Sequence, residues 1–189
     1  HSTYVPEVAD EIYDAGRKFV SGESDFLPEY AFSFYPAKPW EILAITFTNK
    51  AAGELKERIA ARLGEQANDI WAGTFHSICG RILRRYGDRI GYSSHFTIYD
   101  TDDQKRVVKD ILKRMDISEK ELPPRHVMTE ISRAKDNLVT PSEYAASVGA
   151  FPLKKAVAKV YAAYQNQLKQ ADAMDFDDMI VNTVLLFQK

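Results

Sequence analysis

Two stretches decide how this chain is read: Ile42-Leu-Ala-Ile-Thr-Phe-Thr-Asn-Lys-Ala-Ala52 and Ile70-Trp-Ala-Gly-Thr-Phe-His-Ser77. Each is a short β-type run that ends in Thr-Phe and passes at once into a helical pattern. The first is apolar throughout rather than alternating, which suits a parallel strand covered on both faces. The two are separated by about one βαβ unit. As parallel neighbours they place two helix N-termini, two hydroxyls and two aromatic rings on one sheet edge, beyond the carboxyl ends of the strands, where α/β folds bind ligands. Free N–H groups and the helix dipole favour phosphate there. Thr46, Thr48, Asn49, Thr74 and Ser77 add hydrogen-bonding groups without net charge, and Lys50 adds one cation. Phe47 and Phe75 are not needed by a purely structural turn, whereas the bases of a single-stranded nucleic acid stack on such rings. The competing reading places both rings in the core and leaves both threonines as simple N-caps. Patterning alone leaves the two readings level.

Outward from these stretches the chain divides. Pro6 to Val20 reads as an amphipathic helix with Val8, Ile12, Ala15 and Phe19 on one face, and residues 23–40, rich in aromatics and proline, as an irregular packed loop. A helix is expected over Asn49–Leu63, with Gly64 at its C-terminal cap, and another over Phe75–Tyr86, closed by Gly87. Gly53 sits inside the first of these at a cost of about 1 kcal/mol relative to Ala. A short strand is expected at Phe96–Tyr99. From Asp100 onward the pattern is wholly helical. Thr101 and Gln104 form one capping box and Thr140 and Glu143 another, the latter with Pro141 at the first helical position. Leu153, Val157, Val160, Tyr164 and Leu168 mark a long helix, and Asp175 caps a last one.

The 189 residues are 45% apolar and 28% charged, an ordinary globular balance. The net charge of −2 hides an asymmetry: residues 1–40 carry −4 and the rest +2. Nine Lys or Arg stand against five Asp between His76 and Met115, so a polyanion is expected to meet that stretch. The arginines from Arg81 to Arg89 read equally as a nucleic-acid contact or a solvated helix face. The single cysteine, Cys79, excludes an internal disulfide and a cysteine-rich metal site, and reads as a small buried apolar residue. With no apolar run long enough for a membrane span, the expected setting is cytoplasmic.

Ala44-Ile-Thr-Phe-Thr-Asn-Lys-Ala-Ala-Gly-Glu-Leu-Lys-Glu-Arg-Ile59 resembles motif Ia of the UvrD/Rep-type superfamily 1 DNA helicases, and Trp71-Ala-Gly-Thr-Phe-His-Ser-Ile-Cys79 resembles their motif Ib. Phe96-x-Ile-x-Asp100 with Asp103-Gln104, then Ile131-Ser-x-Ala-Lys135, then Asp175-Phe-Asp-Asp178 follow in the family's order, so the resemblance covers residues 41–189. It implies an α/β fold: a partial RecA-like parallel sheet (41–99), an appended all-α subdomain (100–174), and a helix returning to the RecA-like domain (175–189). It also implies that Thr46, Phe47, Thr48, Asn49, Lys50, Thr74, Phe75 and His76 contact single-stranded DNA, and that Lys135 and neighbouring cations contact duplex DNA at a fork. The parent protein would be an ATP-dependent DNA helicase of three-prime to five-prime polarity, working in unwinding, repair or replication with ATP and Mg, the remaining helicase domains completing it.

The chain departs from that pattern in ways that bear on activity. No G-x-x-x-x-G-K-[ST] phosphate loop occurs in it, and its one Asp-Glu-x-x-Asp string, Asp10-Glu-Ile-Tyr-Asp14, stands before the motif Ia stretch rather than after residue 189 where the resemblance would put it. So no cofactor site, catalytic residue or metal ligand is expected here, and the chain alone is expected to be inactive as an ATPase. The acidic, aromatic residues 1–40 read as an insertion or as a region following a removed ATP-binding loop. Two other readings stand beside the helicase fragment. One is a helicase-derived, non-enzymatic module that holds a protein partner. The other is a metal-dependent nuclease using Asp175, Asp177 and Asp178, against which those residues sit together at one helix start, where a cap and dipole role fits better. His95 and His126 fit no metal spacing.

Overall fold

The computed structural model describes residues 9–25 and 37–188. The chain divides into two compact units, one of His1–Ala44 and Ile59–Trp71, the other of Ile45–Arg58 and Ala72–Lys189. In the first, α1 spans Ala9–Val20, with Asp14 paired to Arg17 and Lys18. Phe26 to Pro36, part of the expected irregular loop, lie outside the described residues, and Pro39–Glu41 is a 3-10 turn. Trp71 N–H donates to the Ile42 carbonyl at 3.0 Å. These residues flank β1 (Leu43–Thr46) and open β2 (Trp71–Thr74), which pair as a two-stranded sheet. α2 covers Asn49–Leu63 as its periodicity requires, and Gly64 takes a φ of +56° directly after it, the left-handed conformation that ends a helix cheaply only at glycine.

The second unit is built around a parallel pair that the periodicity does not reveal. β3 (Thr97–Tyr99) pairs in parallel with β4 (Ala173–Asp175), in the register Thr97 to Ala173, Ile98 to Met174 and Tyr99 to Asp175. The residues from Asp100 are therefore not wholly helical. The helices between the strands, α4 (Thr101–Arg114), α5 (Pro124–Asp136), α6 (Pro141–Ser147) and α7 (Pro152–Gln170), form the crossover that a parallel pair requires. Val107, Val108, Ile111 and Leu112 of α4 pack with Val127 and Ile131 of α5 and with Val157, Val160, Tyr164 and Leu168 of α7. A second cluster joins Cys79 and Leu83 of α3 (Phe75–Tyr86) to Tyr92, Phe96, Met174 and Met179, the last from α8 (Phe176–Phe187). β4 divides the clusters: Ala173 belongs to one and Met174 to the other, as side chains on opposite faces of a strand must.

The helix starts are held by reciprocal caps. α4 is capped one residue earlier than the Thr101–Gln104 pattern suggests, because the Asp100 carboxylate accepts from both the Asp102 and Asp103 N–H groups at 2.9 Å while Asp103 returns to the Asp100 N–H. These hydrogen bonds hold the Asp100 carboxyl below its ordinary range. Thr140 and Glu143 form the expected box on α6. Asp175 and Asp178 form a third on α8, and this one is buried.

Around that buried box lies a polar cluster. Lys135 of α5 places its Nζ 2.6 Å from Asp175 Oδ2 and 2.8 Å from Asp178 Oδ1. Tyr164 OH donates to Asp175 Oδ2 at 2.8 Å, and Gln165 Nε2 to Asp178 Oδ1 at 2.8 Å. Burial pushes the Asp178 carboxyl above its usual range, opposed by the Lys135 ammonium and reinforced by the neighbouring Asp175 charge. Burial and the same carboxylates push the Tyr164 phenol up too, so it remains a donor.

Two stability effects are expected. Lys135→Met leaves two uncompensated buried carboxylates and should cost about 3–5 kcal/mol in urea unfolding followed by far-UV circular dichroism. Gly53→Ala should instead stabilise by about 1 kcal/mol, since the added methyl meets nothing within 4 Å and helix propensity alone acts.

Candidate nucleic-acid interface

Both Thr-Phe junctions carry a helix cap, and in each the cap is a neutral hydroxyl. Thr48 Oγ1 accepts from the Ala51 N–H at 3.1 Å at the start of α2. Thr74 Oγ1 accepts from the Ser77 N–H at 3.3 Å at the start of α3, and Ser77 Oγ donates back to the Thr74 carbonyl at 2.9 Å. Gly73 makes room for that return bond, because a Cβ there would lie 2.5 Å from Ser77 Oγ. Neither α2 nor α3 has a carboxylate in its first turn. The leading N–H groups of both helices therefore keep the positive end of the dipole unopposed from within the helix.

The rings are not in the core. Phe47 is 86% exposed and Phe75 39%, with centroids 5.1 Å apart and planes tilted by 38°. Full burial of a Phe side chain is worth roughly 1.5–3 kcal/mol, which Phe47 forgoes almost entirely. Thr46 is half-buried, Thr48, Asn49 and Lys50 are exposed, and Thr74 is buried by its capping role. Of the two readings open at the sequence level, Thr74 follows the capping one, Thr46 does not, since it ends β1 and Thr48 caps α2 instead, and the phenylalanines do not follow the core one.

His76, the residue after Phe75, is exposed and meets Phe176 in a T-shaped contact at 5.6 Å and 87°. Phe176 opens α8, directly after the Asp175 cap, and is 43% exposed. Close packing of α3 on α8 produces this contact: a Cβ on Gly80 would lie 3.0 Å from Met179 Cε. One turn back along each helix stand His76 and Phe176. Four rings from three strand-to-helix junctions thus sit together in one unit. The helical spacing puts Phe176 on the inward face of the last helix with Met179, Ile180, Val184 and Phe187, whereas the structure leaves Phe176 exposed; the cap-then-Phe pattern that Asp175-Phe176 shares with Thr74-Phe75 is the signal that points to the edge position.

Lys135, expected from the resemblance to contact duplex DNA, is 3% exposed, and its ammonium is bound to Asp175 and Asp178. The same ion pairs and caps occupy the oxygens of Asp175 and Asp178, and no group of three or more potential metal ligands occurs among the described residues. Arg84 is also structural: it donates to the Ser94 carbonyl at 2.9 Å and lies 4.6 Å over the Phe96 ring. Arg85 and Arg89 flank the exposed Tyr86 ring at 5.6 and 5.5 Å.

The profile of the UvrD/REP helicase N-terminal domain matches residues 33–189. The chain is 49% identical over 151 residues to the ATP-dependent DNA helicase PcrA of Bacillus subtilis (strain 168), covering 80% of this chain and 20% of that protein. It is 48% identical to PcrA of Staphylococcus aureus (strain Mu50 / ATCC 700699) over the same shares, and 49% identical to PcrA of Staphylococcus epidermidis, covering 80% of this chain and 21% of that one. The chain spans about one fifth of the length of these curated relatives. It belongs to the UvrD/REP helicase N-terminal domain family, as a fragment of a superfamily 1 helicase of the UvrD/PcrA type.

Proposed function

We propose that this chain is a strand-holding part of the first RecA-like domain of an ATP-dependent DNA helicase. The observation that carries this reading is the exposed Phe47–Phe75 pair beside two helix starts that are capped without negative charge. Phosphates approach the N–H groups of α2 and α3, assisted by Thr46, Thr48, Asn49 and Lys50. Bases stack on Phe47 and Phe75, and on Phe176 where it meets His76. Because every base has a π-face, such a track accepts any sequence, as unwinding demands. Thr74 acts through the α3 cap rather than by direct contact. Duplex contact falls to exposed cations of the helical part, Arg133 among them, since Lys135 is buried.

ATP and Mg belong to the parent protein in this reading, since the chain contains no G-x-x-x-x-G-K-[ST] loop. No helix among the described residues is long and apolar enough to cross a membrane, in keeping with a DNA-bound motor.

Three measurements test the reading. Phe47→Ala should lower affinity for a fluorescent oligothymidylate by about 1–3 kcal/mol, with the slope of log affinity against log salt unchanged. Lys50→Ala should weaken binding modestly for every sequence and reduce that slope by about 0.7. Full affinity in Phe47→Ala would remove the stacking role. The chain alone should release no phosphate from ATP, with or without DNA; DNA-stimulated hydrolysis would refute the division of labour.

A further inference from the structure

Lys135, Tyr164 and Gln165 lie on α5 and α7, while Phe176 stands on the strand-binding edge; one residue, Asp175, connects them. Its carboxylate has no free oxygen: Oδ1 accepts from the Asp178 N–H at 2.8 Å, and Oδ2 accepts from Lys135 Nζ at 2.6 Å and Tyr164 OH at 2.8 Å. Its N–H donates to Asp178 Oδ2 at 3.2 Å, and its backbone is paired in register with Tyr99. Asp178, one turn on, is held by Lys135 and Gln165 at 2.8 Å each. Phe176 lies between these two anchored residues, yet it is 43% exposed and its ring meets that of His76. Consecutive Cα atoms are about 3.8 Å apart across a rigid peptide, so any displacement of Asp175 is passed to Phe176.

We propose that Lys135, with Tyr164 and Gln165, is a positioning residue for the strand track: through Asp175 and Asp178 it sets the Phe176 ring against His76, so that the helical part of the chain determines the geometry of a base-stacking site it does not itself touch. Lys135 is thereby moved from direct DNA contact to control of a contact made by another residue. Without the ammonium, two adjacent carboxylates in a low-dielectric setting repel each other. The start of α8 then relaxes, and with it the ring at its first position. The strand-binding consequence rests on the proposed function; the ring geometry does not.

The experiment therefore has a DNA-free arm and a DNA arm. In the first, the ring protons of His76 are followed by nuclear magnetic resonance, with Phe176→Ala giving their position without the neighbouring ring. Lys135→Met and the milder Tyr164→Phe should both move the His76 signals toward that position while far-UV circular dichroism shows a folded chain. Tyr144→Phe, which removes a hydrogen bond to Glu130 in the helical part, should leave them in place. If Lys135→Met does not fold, Tyr164→Phe decides alone; unmoved signals in that folded variant overturn the inference. In the second arm, Tyr164→Phe should weaken oligothymidylate binding about threefold in the wild-type background and not at all with Phe176→Ala. Equal weakening in both backgrounds overturns the route through Phe176. Absence of oligothymidylate binding by the wild-type chain would sink the proposed function instead, and the His76 signals would still decide the positioning role.

Discussion

The Lys135 ammonium, wedged between Asp175 and Asp178, is the constraint on which the second unit turns. Three elements converge there: α5 supplies the cation, α7 a phenol and an amide, and the β4–α8 junction both carboxylates. A buried ion pair of this kind brings little net stability, because desolvation offsets most of the Coulomb attraction. What it contributes is selectivity among arrangements. An apolar contact tolerates sliding, whereas a carboxylate that must satisfy a helix cap, a lysine and a tyrosine together has few positions open to it. β4, three residues long, is held in register in this way as well as by its buried Ala173 and Met174.

The opposite situation prevails at the Thr-Phe junctions, where the fold spends apolar surface on solvent. A hydrophobic ring at 86% exposure does nothing for the core, and its neighbour at 5.1 Å makes the exposure contiguous. A single exposed apolar residue is ordinary in any protein. Two rings side by side, at the ends of paired strands and beside two helix N-termini, form a contiguous apolar surface next to unopposed backbone donors, the combination on which the proposed function rests.

Much of this was legible because caps and periodicity act locally. The bounds of α2 and α3 follow from Asn49, Gly64, the Thr74 cap and the helical spacing of their apolar residues, and the structure reproduces them. The Thr140–Glu143 box is equally local. What escaped depended on contacts distant in sequence. Ala173-Met174-Asp175 is too short to show a period and is a strand only because Thr97–Tyr99 lies beside it. Missing β4 hid the strand-to-helix junction at Asp175–Phe176. The burial of Lys135 is not legible locally, because lysines are rarely buried and its partners are forty residues and more away in the chain. The Asp100 cap was misplaced by one residue because Thr101 and Gln104 have the right types at the right spacing, while the carboxylate before them is the stronger acceptor.

The choice of capping residue separates the junctions that keep a positive helix end from those that do not. An aspartate and a threonine satisfy the same orphan N–H groups, but the aspartate also spends the positive end of the dipole. α4, capped by Asp100 with Asp102 and Asp103 behind it, has little positive potential to offer a phosphate. α2 and α3, capped by Thr48 and Thr74 with no acid in the first turn, retain theirs. α8 is the mixed case: it presents an exposed ring at its first position and yet carries an aspartate cap. There the acid is buried and met by Lys135, so the charge that would repel a strand is opposed from behind while the ring stays at the surface. A buried lysine in this way offsets the acidity of a junction whose exposed face is an aromatic ring.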